Sequence, residues 1–249
     1  MTPPQARRVS RTYWAAGAAV VVAALFAVGA TVATANGGGG DDGSGSSSRA
    51  PGLYSADAGF ARDMAVHHQQ AVEMSFIVRD RTQDEAVRSL AYDIANTQAN
   101  QRGMLLGWLD LWGLPKVVAD EPPMSWMGSG GDGHGTSGQG MSGQDMAGHD
   151  MGGHDMGGAT TKPGALMPGM ATKEEMDRLR TAQGRDAEVL YLQLMTDHHK
   201  GGVAMAQGCA TQCATPAERK LAEGMVAAQR SELTLMADML KQRGAAPRA

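Results

Sequence analysis

The chain has 249 residues, a formal net charge of −4 and a hydrophobic content of 42%. With 22 Lys and Arg against 26 Asp and Glu it has no basic footprint, which excludes nucleic acid as an expected partner. Aromatics make up only 4%, so the core must be built from Ala, Leu, Val and Met, a palette that suits helices rather than sheets.

At the N-terminus, Arg7, Arg8 and Arg11 precede an apolar run at 13–35, "YWAAGAAVVVAALFAVGATVATA". Positive charge ahead of such a run keeps the N-terminus inside and sends the rest across a membrane. About 20 apolar residues suffice to span a bilayer. The run also ends in Ala33-Thr34-Ala35, a pattern that signal peptidase cuts. Residues 1–35 are therefore read as a transmembrane anchor or a signal peptide. The anchor is favoured because the apolar run exceeds the usual signal length. The expected location is extracytoplasmic and membrane-anchored, or secreted if the signal is cleaved.

Residues 36–52, "NGGGGDDGSGSSSRAPG", have nothing to bury and form a flexible tether. A first αα-hairpin is predicted over 53–115. Ser55 caps its first helix with Asp57 in the first turn. Phe60, Met64, His67, Ala71, Met74 and Val78 fall on one narrow arc at helical spacing. Asp84 caps the second helix, whose buried face includes Leu90, Ile94, Leu105 and Leu109, and Gly113-Leu114-Pro115 ends it.

Residues 116–171 read as a disordered insert rich in Met, His and Gly. Eight of the 18 methionines lie between 124 and 170. Met141, Met146, Met151 and Met156 keep a five-residue beat, and His134, His149 and His154 accompany them. A spacer would need only Ser, Gln or Glu, whereas flexible Met/His tracts supply exchangeable Cu(I) ligands. Accessory metal capture is the favoured reading, and a plain spacer the alternative.

The second hairpin, 172–244, repeats the first with a constant offset of 131 residues. Phe60 maps to Tyr191, Met64 to Met195, His67-His68 to His198-His199 and Met74 to Met205. Further along, Asp84 maps to Thr215, Leu90-Ala91 to Leu221-Ala222, Gln98 to Gln229 and Gly113 to Gly244. Thr172 and Glu175 form a capping box for an extra short helix, interrupted at Gly184. Thr215-Pro216-x-Glu218 reads as a helix start, with Thr at N-cap, Pro at N1 and Glu at N3. Two hairpins with one apolar face each bury those faces together, which predicts an all-α four-helix bundle.

The shared skeleton is Met-x-x-His-His, five residues, Met. If the hairpins pack about a pseudo-twofold axis, His67, His68, His198 and His199 can face one another among Met64, Met74, Met195 and Met205. Thioethers select Cu(I), and imidazole suits copper generally. A di-iron bundle needs Glu-x-x-His, but Met64 and Met195 stand at the Glu positions, which disfavours an oxidase site. Against this stands the plain reading that buried Met and His only fill and tie a core. Asp63 and Asp197 are weaker candidates for orienting a ring.

Cys209 and Cys213 stand at the turn between the last two helices. An oxidising compartment makes a disulfide the default, provided that the turn frees the pair from helical geometry. A thiolate pair for copper is the alternative. The first hairpin has Val78 and Thr82 at these positions, so the pair lies outside the duplicated motif. No nucleophile elbow, phosphate-binding glycine loop or His-Glu-x-x-His is present, so no enzyme is expected.

The stretches "MAVHHQQAVEMS" and "LMTDHHKGGVAMA", the following "RSLAYDIANTQ" and "RKLAEGMVAAQ", and "MPGMATKEEMDRL" resemble the domain-of-unknown-function 305 family. The resemblance covers residues 53–113 and 165–244. It implies a ferritin-like four-helix bundle in an exported protein, and some family members look like extracytoplasmic copper-binding or copper-tolerance proteins. Met64, His67, His68, Met74, Met195, His198, His199 and Met205 are the candidates it carries over. The chain departs from the pattern at Gly202, where Ala is common, and at Gln70, where Gly is usual. The expected function is extracytoplasmic Cu(I) buffering, sequestration or transfer. Its partners would be the metal ion, the membrane if the N-terminal helix stays, and a second copy or a copper-handling protein. The alternatives are a helical interaction module with a structural His/Met core and, less favoured, a metal-dependent ferritin-like oxidoreductase.

Overall fold

The computed structural model describes residues 50–119, 121–129 and 161–248. The apolar segment at 13–35 lies outside them, as do His134, His149, His154, Met141, Met146, Met151 and Met156. The described residues contain no strand. They form helices α1 (Ala56–Arg79), α2 (Glu85–Leu111), α3 (Lys173–Thr181), α4 (Gly184–Gln212) and α5 (Pro216–Gln242), with a 3-10 turn at Ser125–Ser129. None of these helices is long and apolar enough to cross a membrane.

Local chemistry sets the boundaries. The Ser55 side chain accepts from the Ala58 amide at 3.2 Å, and that of Asp84 from the Val87 amide at 2.9 Å. Thr172 and Glu175 complete the capping box at α3. Such caps are each worth about 1 kcal/mol. Gly113 and Gly244, 131 residues apart, both take a left-handed φ, of 67° and 62°, just beyond α2 and α5. Shifting the limits of α2 by the repeat offset gives those of α5 to the residue.

α1 packs on α2 and α4 on α5, and the hairpins meet through α1 and α4. Every predicted arc residue of α1 is buried, because the arc faces both neighbours at once. The apolar residues fall into two clusters. One gathers Ala71, Met74 and Val78 with Tyr191, Leu192 and Met195, and the other Phe60, Ala61 and Met64 with Met205, Ala206 and Cys209. The start of α1 thus meets the end of α4, so the two helices run antiparallel. The His-His pairs fall between the clusters, at the waist of the molecule.

Two parts differ from the sequence reading. The flanks of the 116–171 segment are built into the core. Trp126 is buried, packs edge-on to Phe60 with ring centroids 5.8 Å apart, and donates Nε1–H to Asp63 at 2.9 Å. Met167, Met170 and Ala171 are buried on the other side of the segment. The methionine content that suggests a metal-binding tract hides these core positions. The second difference is Glu218, which caps nothing: Thr215 makes no side-chain cap bond, and Glu218 is fully buried. The Ala214 and Thr215 amides are instead taken by Asp57 of α1, at 3.0 and 2.7 Å.

Candidate metal-binding site

His67 and His198 occupy equivalent positions on α1 and α4, and the antiparallel crossing stacks their rings at a centroid separation of 3.8 Å, tilted by 33°. His68 and His199 point outward from this pair, each toward the second helix of its own hairpin. All four imidazoles are essentially inaccessible to solvent.

Each ring uses Nε2 in the same way. His68 Nε2–H donates to Gln101 Oε1 at 2.9 Å, and His199 Nε2–H donates to Glu232 Oε2 at 2.7 Å. Gln101 and Glu232 are themselves 131 residues apart, so this is one bond written twice. The inner pair breaks the symmetry: His198 Nε2 donates to the His67 carbonyl at 2.9 Å, while His67 Nε2 donates to the Pro168 carbonyl at 3.3 Å. An acceptor faces Nε2 in every case, which fixes the proton there and leaves the Nδ1 lone pair free. All four Nδ1 atoms are buried and none has a hydrogen-bond partner.

Burial keeps His67, His68 and His198 neutral. It pushes His67 down to about 4, despite the opposing Pro168 carbonyl. It pushes His68 to about 3, helped by the neighbouring His67. His198 lies well below the ordinary imidazole value, through burial first and then the charges of His67 and His199. A ring that refuses a proton keeps its lone pair for another Lewis acid.

Met64, Met74, Met195 and Met205 are all fully buried, Met64 and Met205 in one apolar cluster and Met74 and Met195 in the other. Thioethers therefore flank the imidazoles on both sides. Among the described residues, the group of three His, Cys, Asp or Glu ligand atoms within 4.8 Å of one another is Cys209, Cys213 and Glu218. Three ring nitrogens do not meet at one point, so the waist offers imidazoles singly or in pairs. Low-coordinate, soft ions suit that supply better than ions that need four or more hard ligands.

The carboxylates expected to orient the rings do other work. Asp63 accepts from Met124 N and Trp126 Nε1, and Asp197 pairs with Arg248 at 3.0 Å. Ring orientation falls to Gln101, Glu232 and Pro168, none of which the sequence reading singles out. Applying the repeat offset to Gln101 would have found Glu232. The two departures from the family pattern have local causes. Gln70 clamps the Ala171 backbone, donating to its carbonyl at 2.9 Å and accepting from its amide at 2.7 Å. Gly202 leaves room for Gln229, whose amide a Cβ there would strike. Gly201 likewise lets the Pro168–Gly169 backbone reach α4. Cys209 and Cys213 form a disulfide, and Cys213 leaves the helix with ψ 136°, which frees the pair from the α4 spiral.

The fold and site define a class: an all-helical, internally duplicated protein whose two hairpins close around a waist of four buried imidazoles and four buried thioethers. The chain belongs to the domain-of-unknown-function family DUF305, whose model matches residues 57–240. A putative secreted DUF305 protein of Streptomyces coelicolor is similar at 55% identity and a TM-score of 0.64, over 80% of this chain and 99% of that one. A DUF305 fragment from Deinococcus radiodurans shows 26% identity and a TM-score of 0.54, over 77% of this chain and 99% of the fragment. CopM in its Cu(I)-bound form shows 19% identity and a TM-score of 0.48, over 75% of this chain and 96% of that one. No curated protein matches the chain.

Proposed function

We propose that the chain binds Cu(I) outside the cytoplasm, on a ferritin-like four-helix scaffold, and buffers, sequesters or passes on the ion. One observation carries this reading: four buried imidazoles spend Nε2 on protein acceptors and leave four buried Nδ1 lone pairs without a partner. A buried acceptor left without a bond costs about 1–3 kcal/mol, and the duplicated frame keeps four of them. A purely structural histidine would satisfy both nitrogens or stay exposed. In metal sites, the ring nitrogen opposite the metal donates to a carboxylate or carbonyl, which is the pattern seen here.

His67, His68, His198 and His199 would supply nitrogen, and Met64, Met74, Met195 and Met205 sulfur. Neutral imidazoles and thioethers add no charge, so a monovalent ion would enter the apolar waist at a lower desolvation cost than a divalent one. His134, His149, His154, Met141, Met146, Met151 and Met156 would capture the ion before it enters. The 55% identical putative secreted protein supports an extracytoplasmic location, with the segment at 13–35 as anchor or signal.

Titrating the full chain with Cu(I) against a competing chelator tests the reading. The chain should outcompete the chelator, and a variant with all four waist histidines changed to Ala should lose the tight component while keeping its helical circular dichroism. Unchanged affinity in that variant would move the site to the 116–171 segment. Failure to outcompete even a weak chelator would leave the His/Met core with a structural role alone.

A further inference from the structure

The offset of 131 residues isolates a second cluster that the histidine waist does not use. Cys209, Cys213 and Glu218 correspond to Val78, Thr82 and Val87 in the first hairpin. Those three positions are buried there, the valines in apolar packing and Thr82 with its hydroxyl donating to Glu188 at 2.5 Å and accepting from the Asp84 amide at 3.0 Å. In the second hairpin all three have become metal-ligating types, and their Sγ and carboxylate oxygen atoms lie within 4.8 Å of one another. Glu218 is fully buried and accepts no hydrogen bond at either oxygen. Burial first, then the charge of Asp57 and a hydrogen bond from the protonated Glu218 to Asp57, push the Glu218 carboxyl up to about 9. Valine suffices at this place in one repeat, so packing gives no reason for an acid in the other.

We propose that Cys209, Cys213 and Glu218 form a redox-gated site for a divalent, borderline-soft cation of the zinc class, separate from the Met/His waist. In the oxidised protein the sulfurs are joined and the site is closed. A dithiol opens it: two electrons and two protons pass to the disulfide, two thiols form, and the reductant leaves as its own disulfide. A divalent cation then displaces both thiol protons and is held by the two thiolates and the Glu218 carboxylate. Two thiolates and a carboxylate are a zinc-type donor set. A divalent ion leaves one less buried negative charge than Cu(I) would, and Asp57 adds to that preference.

The test is titration of the phosphine-reduced full chain with Co(II), followed by Zn(II) competition. Cys209 and Cys213 are the only cysteines in the chain, so thiolate-to-cobalt charge-transfer absorption reports this site alone. The reduced chain should show the band and the oxidised chain should not. Glu218→Val, which installs the residue of the other repeat, should fold normally and keep the band. It should bind Zn(II) more weakly by at least the roughly 10–100-fold that loss of an outer-shell partner costs. Absence of the band in the reduced chain would overturn the proposal. So would a Glu218→Val chain that binds Zn(II) as tightly as the parent.

Discussion

At the scale of single residues, the partners of the imidazoles decide the chemistry. Glu232→Leu removes the acceptor of His199 Nε2, so the ring can turn and its tautomer is no longer fixed. Cu(I) affinity should fall by roughly 10–100-fold in a chelator competition. Glu232→Gln keeps an acceptor, and Gln101 already performs this task in the first hairpin, so that change should cost no more than severalfold. Equal losses in both variants would mean that the carboxylate charge, rather than ring orientation, matters.

The titrating residues set opposite slopes of stability against pH. His67 and His68 take a proton in the fold only near about 4 and about 3, and His198 well below its ordinary value, whereas unfolded imidazoles take one near 6.5. Between those limits the unfolded chain binds more protons, so stability is lost as pH falls below about 6.5. Glu218 acts the other way: folded it keeps its proton up to about 9, while unfolded it loses it near 4.3. Its contribution is therefore lost as pH rises through about 9. Three imidazoles outweigh one carboxyl below about 6.5, and above that value only the carboxyl acts. Urea midpoints of the metal-free chain should peak near pH 6.5 and decline on both sides. A flat profile between pH 4.5 and 6.5 would contradict the neutral, buried state of the rings.

At the scale of elements, the duplicated helices were legible and the pieces that break the duplication were not. Caps at Ser55, Asp84 and Thr172, the arc from Phe60 to Val78 and the glycines at 113 and 244 all follow from local rules that a sequence displays. The Met167–Met170 strap does not, because its place depends on the close approach of Gly169 to Gly201, a contact between distant segments. Gly202 reads as a small departure from a pattern until the approach of Gln229 shows its purpose, and Gly201 draws no notice until Pro168 is seen against it. Gly201→Ala would put a methyl group into the Pro168 carbonyl and push the strap off α4. Overpacking of this kind costs about 1–3 kcal/mol, which a thermal unfolding curve would register. Gln70→Gly removes two bonds to Ala171 and should loosen the same strap with a smaller loss. Glu218 was misread for a related reason: a Glu at N3 looks like a cap until Asp57 is seen to take the amides that it would serve.

At the scale of the molecule, two apolar ends hold a polar waist that neither end could stabilise alone. A ligand that binds only the folded waist must raise the unfolding temperature. At 100 times its dissociation constant, Ag(I) or Cu(I) adds about 2.7 kcal/mol, or about 5–10 °C for a chain of this size. The variant with four waist alanines should show no such shift.

The central claim is that His67, His68, His198 and His199, singly or in pairs, offer Nδ1 and not Nε2 to bound metal. Long-range proton–nitrogen correlation spectra of the histidine-labelled chain, recorded before and after Cu(I) is added, test it most directly. The account predicts that the Nδ1 resonances of these four rings move on loading while each Nε2 keeps its proton and its pyrrole-type shift. Movement of Nε2 instead, or no change at any of the four rings, would contradict it.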